Sequence, residues 1–170
     1  RQVLTPSLSW LSCARGQCLT YEGGAGFYQP LRRYREWAGV GSNVTQFNRD
    51  VAEGFEQTDA DALFLDVRTP WEYLPQVSAA VKPGAALAFL VPTVDQVSLL
   101  LKGVESGPFD EPEVEEILVR GWKPVADRLR PPDRMVAHTG FLIFARKQER
   151  SQEFERLKLL GTRELTKLIA

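Results

Sequence analysis

Ala62-Leu63-Phe64-Leu65-Asp66-Val67-Arg68-Thr69-Pro70-Trp71 joins an unbroken apolar run to a carboxylate, and a proline and a tryptophan follow within five residues. A short continuous run suits a strand buried on both faces of a parallel sheet. Pro70 has no N–H for a strand ladder, so the strand expected over 62–66 ends near Asp66. In open α/β sheets ligands bind just beyond the carboxyl ends of the strands. Asp66 therefore has two readings: a group of an active site, or a cap for the helix expected from Trp71 onward.

Working outward, apolar spacing predicts helices over 7–14, 27–37, 71–81, 94–106 and 148–170. Strands are expected over 18–22, 43–47, 62–66, 85–91, 114–119 and 139–145. The inner stripe of the 94–106 helix is expected to be Val94, Val97, Leu100, Leu101 and Val104, and Lys82-Pro83-Gly84 stops the helix before it. Trp71, Leu74, Val77 and Val81 share one face; Trp71 on that stripe reads as core rather than as the wall of a base pocket. Strands alternating with helices predict an α/β fold, a mostly parallel sheet with right-handed crossovers, and the last two strands bring in an antiparallel member.

The chain has 170 residues, 44% hydrophobic and 25% charged, with a net charge of -1. One domain is the expectation, and nothing global demands nucleic acid. Cys13, Cys18 and His138 are too few for an ordinary four-ligand zinc site, so no metal is expected. The two cysteines read as reduced, buried thiols, no apolar run is long enough to span a membrane, and no signal peptide is visible, which suits a cytoplasmic protein. The chain begins at Arg1 and its one methionine is Met135, so its start reads as processed, truncated or incompletely represented.

Three of the expected strands end in an acid: Glu22, Asp50 and Asp66. On one sheet edge, a carboxylate ending an early strand can accept from both hydroxyls of a ribose. A second, one strand out, can accept from an adenine amine, and a third at the sheet centre faces the reacting group. The series suits an adenosine-containing cofactor.

At this point the sequence resembles the class I S-adenosylmethionine-dependent methyltransferases, and within them the tRNA (adenine-N1)-methyltransferases that modify the T-loop adenine. Gly16-Gln17-Cys18-Leu19-Thr20-Tyr21-Glu22 is similar to the segment ending in the ribose-binding acid, and Asn43-Val44-Thr45-Gln46-Phe47-Asn48-Arg49-Asp50 to the segment whose acid meets the cofactor adenine. Leu65-Asp66 with Pro70-Trp71, Pro92-Thr93-Val94-Asp95-Gln96-Val97, Arg120-Gly121-Trp122 and Ala137-His138-Thr139-Gly140-Phe141-Leu142 resemble further family motifs, in the family's order. The resemblance implies a Rossmann-like fold with helices on both faces of the sheet, and divides the chain into 1–6, a remnant of a substrate-side segment; 7–147, the methyltransferase domain; and 148–170, a helical extension. It implies contacts to S-adenosylmethionine at Glu22, Phe27, Arg49, Asp50 and Asp66, with S-adenosylhomocysteine as product. Tyr21 and Phe27 also fit core positions.

Asp66 is the implied catalytic residue: methylation makes the adenine ring cationic, and a fixed carboxylate gains as its exocyclic amine becomes a stronger donor. tRNA is the implied partner, with Arg120, Lys123, Arg128, Arg130 and Arg134 against Asp127 and Asp133 as phosphate contacts or as an ordinary polar loop. Arg32, Arg33 and Arg35 read as a solvated face and His138 as a hydrogen-bonded structural residue. A homo-oligomer, by resemblance a tetramer, is implied. One departure stands out: the family's Glu-x-Gly-x-Gly-Ser-Gly loop is not found, because Arg1-Gln2-Val3-Leu4-Thr5-Pro6 passes directly to Ser7-Leu8-Ser9-Trp10-Leu11. Residues are therefore expected to be missing between Pro6 and Ser7. A non-catalytic RNA-binding subunit, or a class I methyltransferase acting on a small molecule or protein, are the alternatives.

Overall fold

The structure, a computed structural model, describes residues 2–5 (backbone only), 16–24, 26, 28–30, 32–33, 43–135 and 138–148. The helices expected over 7–14 and 148–170, most of that over 27–37, and the Pro6–Ser7 junction lie outside the described residues. Residues 28–30, 32 and 33 are helical, and the Tyr28 N–H donates to the Gly24 carbonyl at 3.1 Å.

The apolar runs become strands. β1 is Gln2–Thr5, β2 Gln17–Tyr21, β3 Val44–Phe47, β4 Ala60–Leu65, β5 Val81–Val91, β6 Phe109–Glu116 and β7 Phe141–Lys147. They form one seven-stranded sheet in the order β3-β2-β1-β4-β5-β7-β6. β1 to β5 are parallel, whereas β7 is antiparallel to both β5 and β6. The antiparallel closing strand is where the sequence places it. β1 pairs Val3 with Cys18 on one side and Leu4 with Leu63 on the other.

One face of the central strands is sealed. Leu63, Leu65, Leu87, Phe89, Val91 and Ile143 are at most 2% exposed. Their alternate neighbours Ala62, Phe64, Ala88 and Leu90 are half-buried, so full burial on both faces is not seen among the described residues. On the sealed side pack α1 (Leu74–Ala80) and α2 (Val94–Ser106), through Leu74, Val77, Val97, Leu100 and Val104. Val94, expected in the stripe, is instead 67% exposed, because it opens the helix just after the Thr93 N-cap at the sheet rim.

Two prolines reshape expected boundaries. The turn Pro70–Tyr73 is 3-10 and α1 begins only at Leu74. Pro75 has no N–H to continue an α-helix from Trp71, so the regular helix starts around it. β6 starts five residues earlier than expected, passing Pro112 at a register shift between Asp110 and Glu113 where Glu111 has φ 53°. β6 is an edge strand, where a proline and a bulge are tolerated.

Candidate active site at the carboxyl edge of the sheet

Because β2, β3 and β4 are parallel, the residues just past their ends share one edge. Glu22 directly follows β2, Asp66 directly follows β4, and Asp50 lies three residues beyond β3. β2 and β3 are neighbours, and β1 separates β2 from β4. With strands ~4.8 Å apart, Glu22 is about one strand spacing from Asp50 and about two, ~10 Å, from Asp66.

The ends of β2 and β3 are locked together. The Glu22 N–H donates to the Phe47 carbonyl at 3.0 Å. A Cβ on Gly23 would lie 2.9 Å from Asp50 Oδ2 and 3.2 Å from Asp50 Cα. Glycine is therefore required for these two turns to meet. Asp50 caps the 3-10 turn Val51–Glu53, its Oδ1 accepting from the Ala52 N–H at 2.8 Å. Arg49 reaches its own loop: Nη2 donates to the Glu53 carbonyl at 3.2 Å, and the guanidinium pairs with Glu53 at 3.7 Å and Glu56 at 3.6 Å.

Tyr21 supports this corner from within. It is 2% exposed, stacked on Phe47 at 4.7 Å and edge-on to Phe55 at 5.0 Å. Its hydroxyl donates to Gln57 Oε1 and accepts from the Glu56 N–H at 3.2 Å. Tyr21 is thus a core residue, as its spacing allows. Phe27 lies outside the described residues.

Asp66 sits differently. It is exposed at the rim, and nearby protein still displaces enough water to push its carboxyl above the usual aspartate range. The loop it opens is held by Thr69, whose hydroxyl donates to Glu72 Oε2 at 2.8 Å, and by Gln96, whose Nε2 donates to the Arg68 carbonyl at 2.9 Å. Asp66 is not the cap of the following turn; that N-cap position belongs to Thr69. Trp71 is half-buried and packs on the core.

His138 lies across the end of β5. Nε2 donates to the Pro92 carbonyl at 2.8 Å and Nδ1 faces Glu116 Oε1 at 2.5 Å. The Glu116 hydrogen bond, then the Pro92 carbonyl, holds its pKa above the usual histidine range. Tying β5, β6 and β7 is a structural role. Of the basic residues at 120–134, Lys123 and Arg130 both pair with Asp133, at 2.5 and 3.3 Å, and Arg120 stands 5.7 Å over the Trp122 ring. Sequence reasoning assigned no role to Gln96 or to the Phe47 and Phe55 partners of Tyr21, and it read His138 as a hydrogen-bonded structural residue without its partners Glu116 and Pro92. Only the first carried a local signal, the Thr93-x-x-Gln96 capping pattern. Among the described residues no group of three or more His, Cys, Asp or Glu could hold a metal, and no helix is long and apolar enough to cross a membrane.

This strand order, with an acid past each of three parallel strands and an antiparallel closing strand, is the Rossmann-like class I methyltransferase fold. Residues 16–133 match the family described as tRNA methyltransferase complex GCD14 subunit, and the chain belongs to that family. It is 32% identical over 99 residues to the tRNA (adenine(58)-N(1))-methyltransferase TrmI of Thermus thermophilus, covering 56% of this chain and 38% of that one. It is 30% identical over 106 residues to the tRNA (adenine(57)-N(1)/adenine(58)-N(1))-methyltransferase TrmI of Methanocaldococcus jannaschii, covering 61% of this chain and 37% of that one. Among solved structures, the tRNA (m1A58) methyltransferase TrmI of Aquifex aeolicus aligns with a TM-score of 0.80 and 37% identity over 88% of this chain and 63% of its own. A SAM-dependent O-methyltransferase from Thermotoga maritima aligns with a TM-score of 0.81 and 39% identity over 89% and 60%. The chain thus spans well under half the length of the two relatives.

Proposed function

We propose that this chain carries the catalytic core of an S-adenosylmethionine-dependent tRNA (adenine-58-N1)-methyltransferase. The observation that carries the reading is the edge itself: an aspartate directly after β4, on the same rim as Glu22 and the closely packed Asp50. The residues present suit the nucleoside half of the cofactor. Glu22 would accept from its ribose hydroxyls and Asp50 from its adenine, with Arg49 and Phe27 flanking. When bound, the cofactor supplies a methyl group on a sulfonium. The division at 7–147 goes with this reading, with 148–170 as an extension.

The protein's own tasks are to admit an unstacked base, exclude water and hold negative charge where the ring becomes cationic. N1 of adenine is already nucleophilic at neutral pH when unpaired, so no covalent enzyme intermediate is needed. Asp66 accepts from the exocyclic amine, and that bond strengthens as charge develops. A raised pKa means the charge is lost as pH falls through a value above the ordinary aspartate range, so the acid limb of activity begins there. Asp66→Asn keeps the shape and removes the charge. A rate loss of at least ~10²-fold is expected on a tRNA transcript, and full activity in that variant refutes the assignment.

tRNA is the proposed partner and the cytoplasm the proposed site of action. A homotetramer is proposed on the family resemblance. The exposed apolar residues Ile117, Leu118, Val119, Trp122 and Leu129 support self-association, since such a run is unusual on a lone domain's surface. A second reading, a non-catalytic RNA-binding subunit, is favoured by the missing glycine-rich motif after β1. Calorimetry of the full-length protein with S-adenosylmethionine separates the two, because only the enzyme binds it.

A further inference from the structure

We propose that Gln96 is a positioning residue for Asp66, its side-chain amide fixing the loop backbone that aims the carboxylate. The inference rests on the catalytic reading of Asp66 above. Among the described residues the Asp66 carboxylate has no hydrogen-bond donor and no ion-pair partner. Its direction is therefore set by backbone alone.

That backbone is anchored before Asp66 by the β4–β5 ladder, where Leu65 pairs with Phe89. It is anchored after by Thr69, whose carbonyl accepts from the Glu72 N–H at 3.1 Å. Between these anchors, the Arg68 carbonyl accepts from Gln96 Nε2 at 2.9 Å, across 28 positions of chain. The Arg68 carbonyl fixes which way the amide is turned, because the opposite orientation would set Oε1 against a second acceptor. Its Oε1 accepts from the Thr93 hydroxyl at 2.9 Å, and Thr93 Oγ1 in turn accepts from the Gln96 N–H at 3.4 Å.

A glutamine three residues after an N-cap ordinarily reaches back to the cap's own N–H. Here it turns outward to the neighbouring loop instead. α2 needs the Thr93 cap, but it does not need the bond to Arg68. That spare donor bridges the ends of β4 and β5 at the point where Asp66 leaves the sheet.

The test uses Gln96→Met and Gln96→Glu in the full-length protein, with methyl transfer to a tRNA transcript as readout. Both variants lose the donor to Arg68, and only the second adds charge, while glutamate keeps an acceptor for Thr93 and so preserves the cap. Both are expected to lower kcat by ~10- to 10²-fold, with the KM for S-adenosylmethionine little changed and the melting temperature of the glutamate variant unmoved. Gln96→Met added to Asp66→Asn should cost nothing beyond Asp66→Asn alone, because the two act through one group. Unchanged kcat in either single variant, or a double variant that loses the product of the two, overturns the inference while a crippled Asp66→Asn leaves the catalytic reading standing. A fully active Asp66→Asn defeats that reading, and this inference with it.

Discussion

Tyr21→Phe isolates what one hydroxyl does for the corner beneath Glu22. The phenyl ring keeps its stack on Phe47 and its edge contact with Phe55. What disappears is donation to Gln57 Oε1 and acceptance from the Glu56 N–H, both partly buried. A typical intramolecular hydrogen bond contributes ~1 kcal/mol net, and a buried partner left unpaired adds its own desolvation, so ~1–2 kcal/mol of stability should be lost. For a chain of this size that is a melting shift of roughly 3–6 °C. Burial holds the Tyr21 phenol above its ordinary pKa, so it stays a donor throughout the neutral range and the comparison is free of ionisation. Urea unfolding of Tyr21→Phe, Gln57→Ala and the double variant gives the coupling directly. Additive losses, or a Phe variant within ~0.3 kcal/mol of wild type, would show that the hydroxyl is not part of the corner.

Two further outcomes follow from the other end of the sheet. His138 is the chain's one histidine, so a single imidazole resonance reports it; its midpoint should lie above 6.5 and fall in Glu116→Gln, because the Glu116 bond is the main cause of the shift. The contact's contribution is full below the unfolded value of about 6.5 and is lost as pH rises through the folded one, and a midpoint at or below 6.5 would show the bridge is not formed. Lys147 Nζ donates to the Val81 carbonyl at 2.7 Å and to that of Ser78, closing the C-terminus of α1. Lys147→Met should lose ~1–2 kcal/mol in urea unfolding, and an unchanged curve would remove the cap from the account.

How far the sequence could be read depended on what each segment had to bury. β5, α2 and β7 were legible because each hides a repeating apolar face: Ala85, Leu87, Phe89 and Val91 at period two, Val97, Leu100 and Val104 at helical spacing. β6 was misplaced because only Phe109 of its eight residues is buried. An edge strand held by backbone pairing leaves almost no hydrophobic pattern. Val94 fits the apolar stripe yet is exposed, because periodicity does not see that a helix's first turn overhangs a rim. β1 could not be placed by pattern at all. Four residues carry too little periodicity, and its position between β2 and β4 is a property of the whole sheet. The three acids at strand ends were legible as positions. Their partners were not, since the Gln96–Arg68 and His138–Glu116 contacts join segments far apart in sequence.

Those partners distinguish the acids from one another. Asp50 already spends an oxygen on the Ala52 N–H, and Glu22 also makes contacts within the protein. The capping bond holds the direction of Asp50 whether or not a ligand is present. Asp66 has no such support and stands on a rim where water is partly displaced. An exposed carboxylate without a protein donor takes its hydrogen bonds from water. A fixed donor brought to it displaces that water, and a donor whose charge is rising gains most. The sheet puts that group at the end of β4, with β1 between it and the corner of Glu22 and Asp50. On the proposed reading, the two acids beside β2 and β3 suit the nucleoside half of the cofactor, whose charge does not change when the sulfonium gives up its methyl group. The unpartnered one suits the adenine that becomes cationic, which is why the electrostatic role falls to Asp66 rather than to its neighbours.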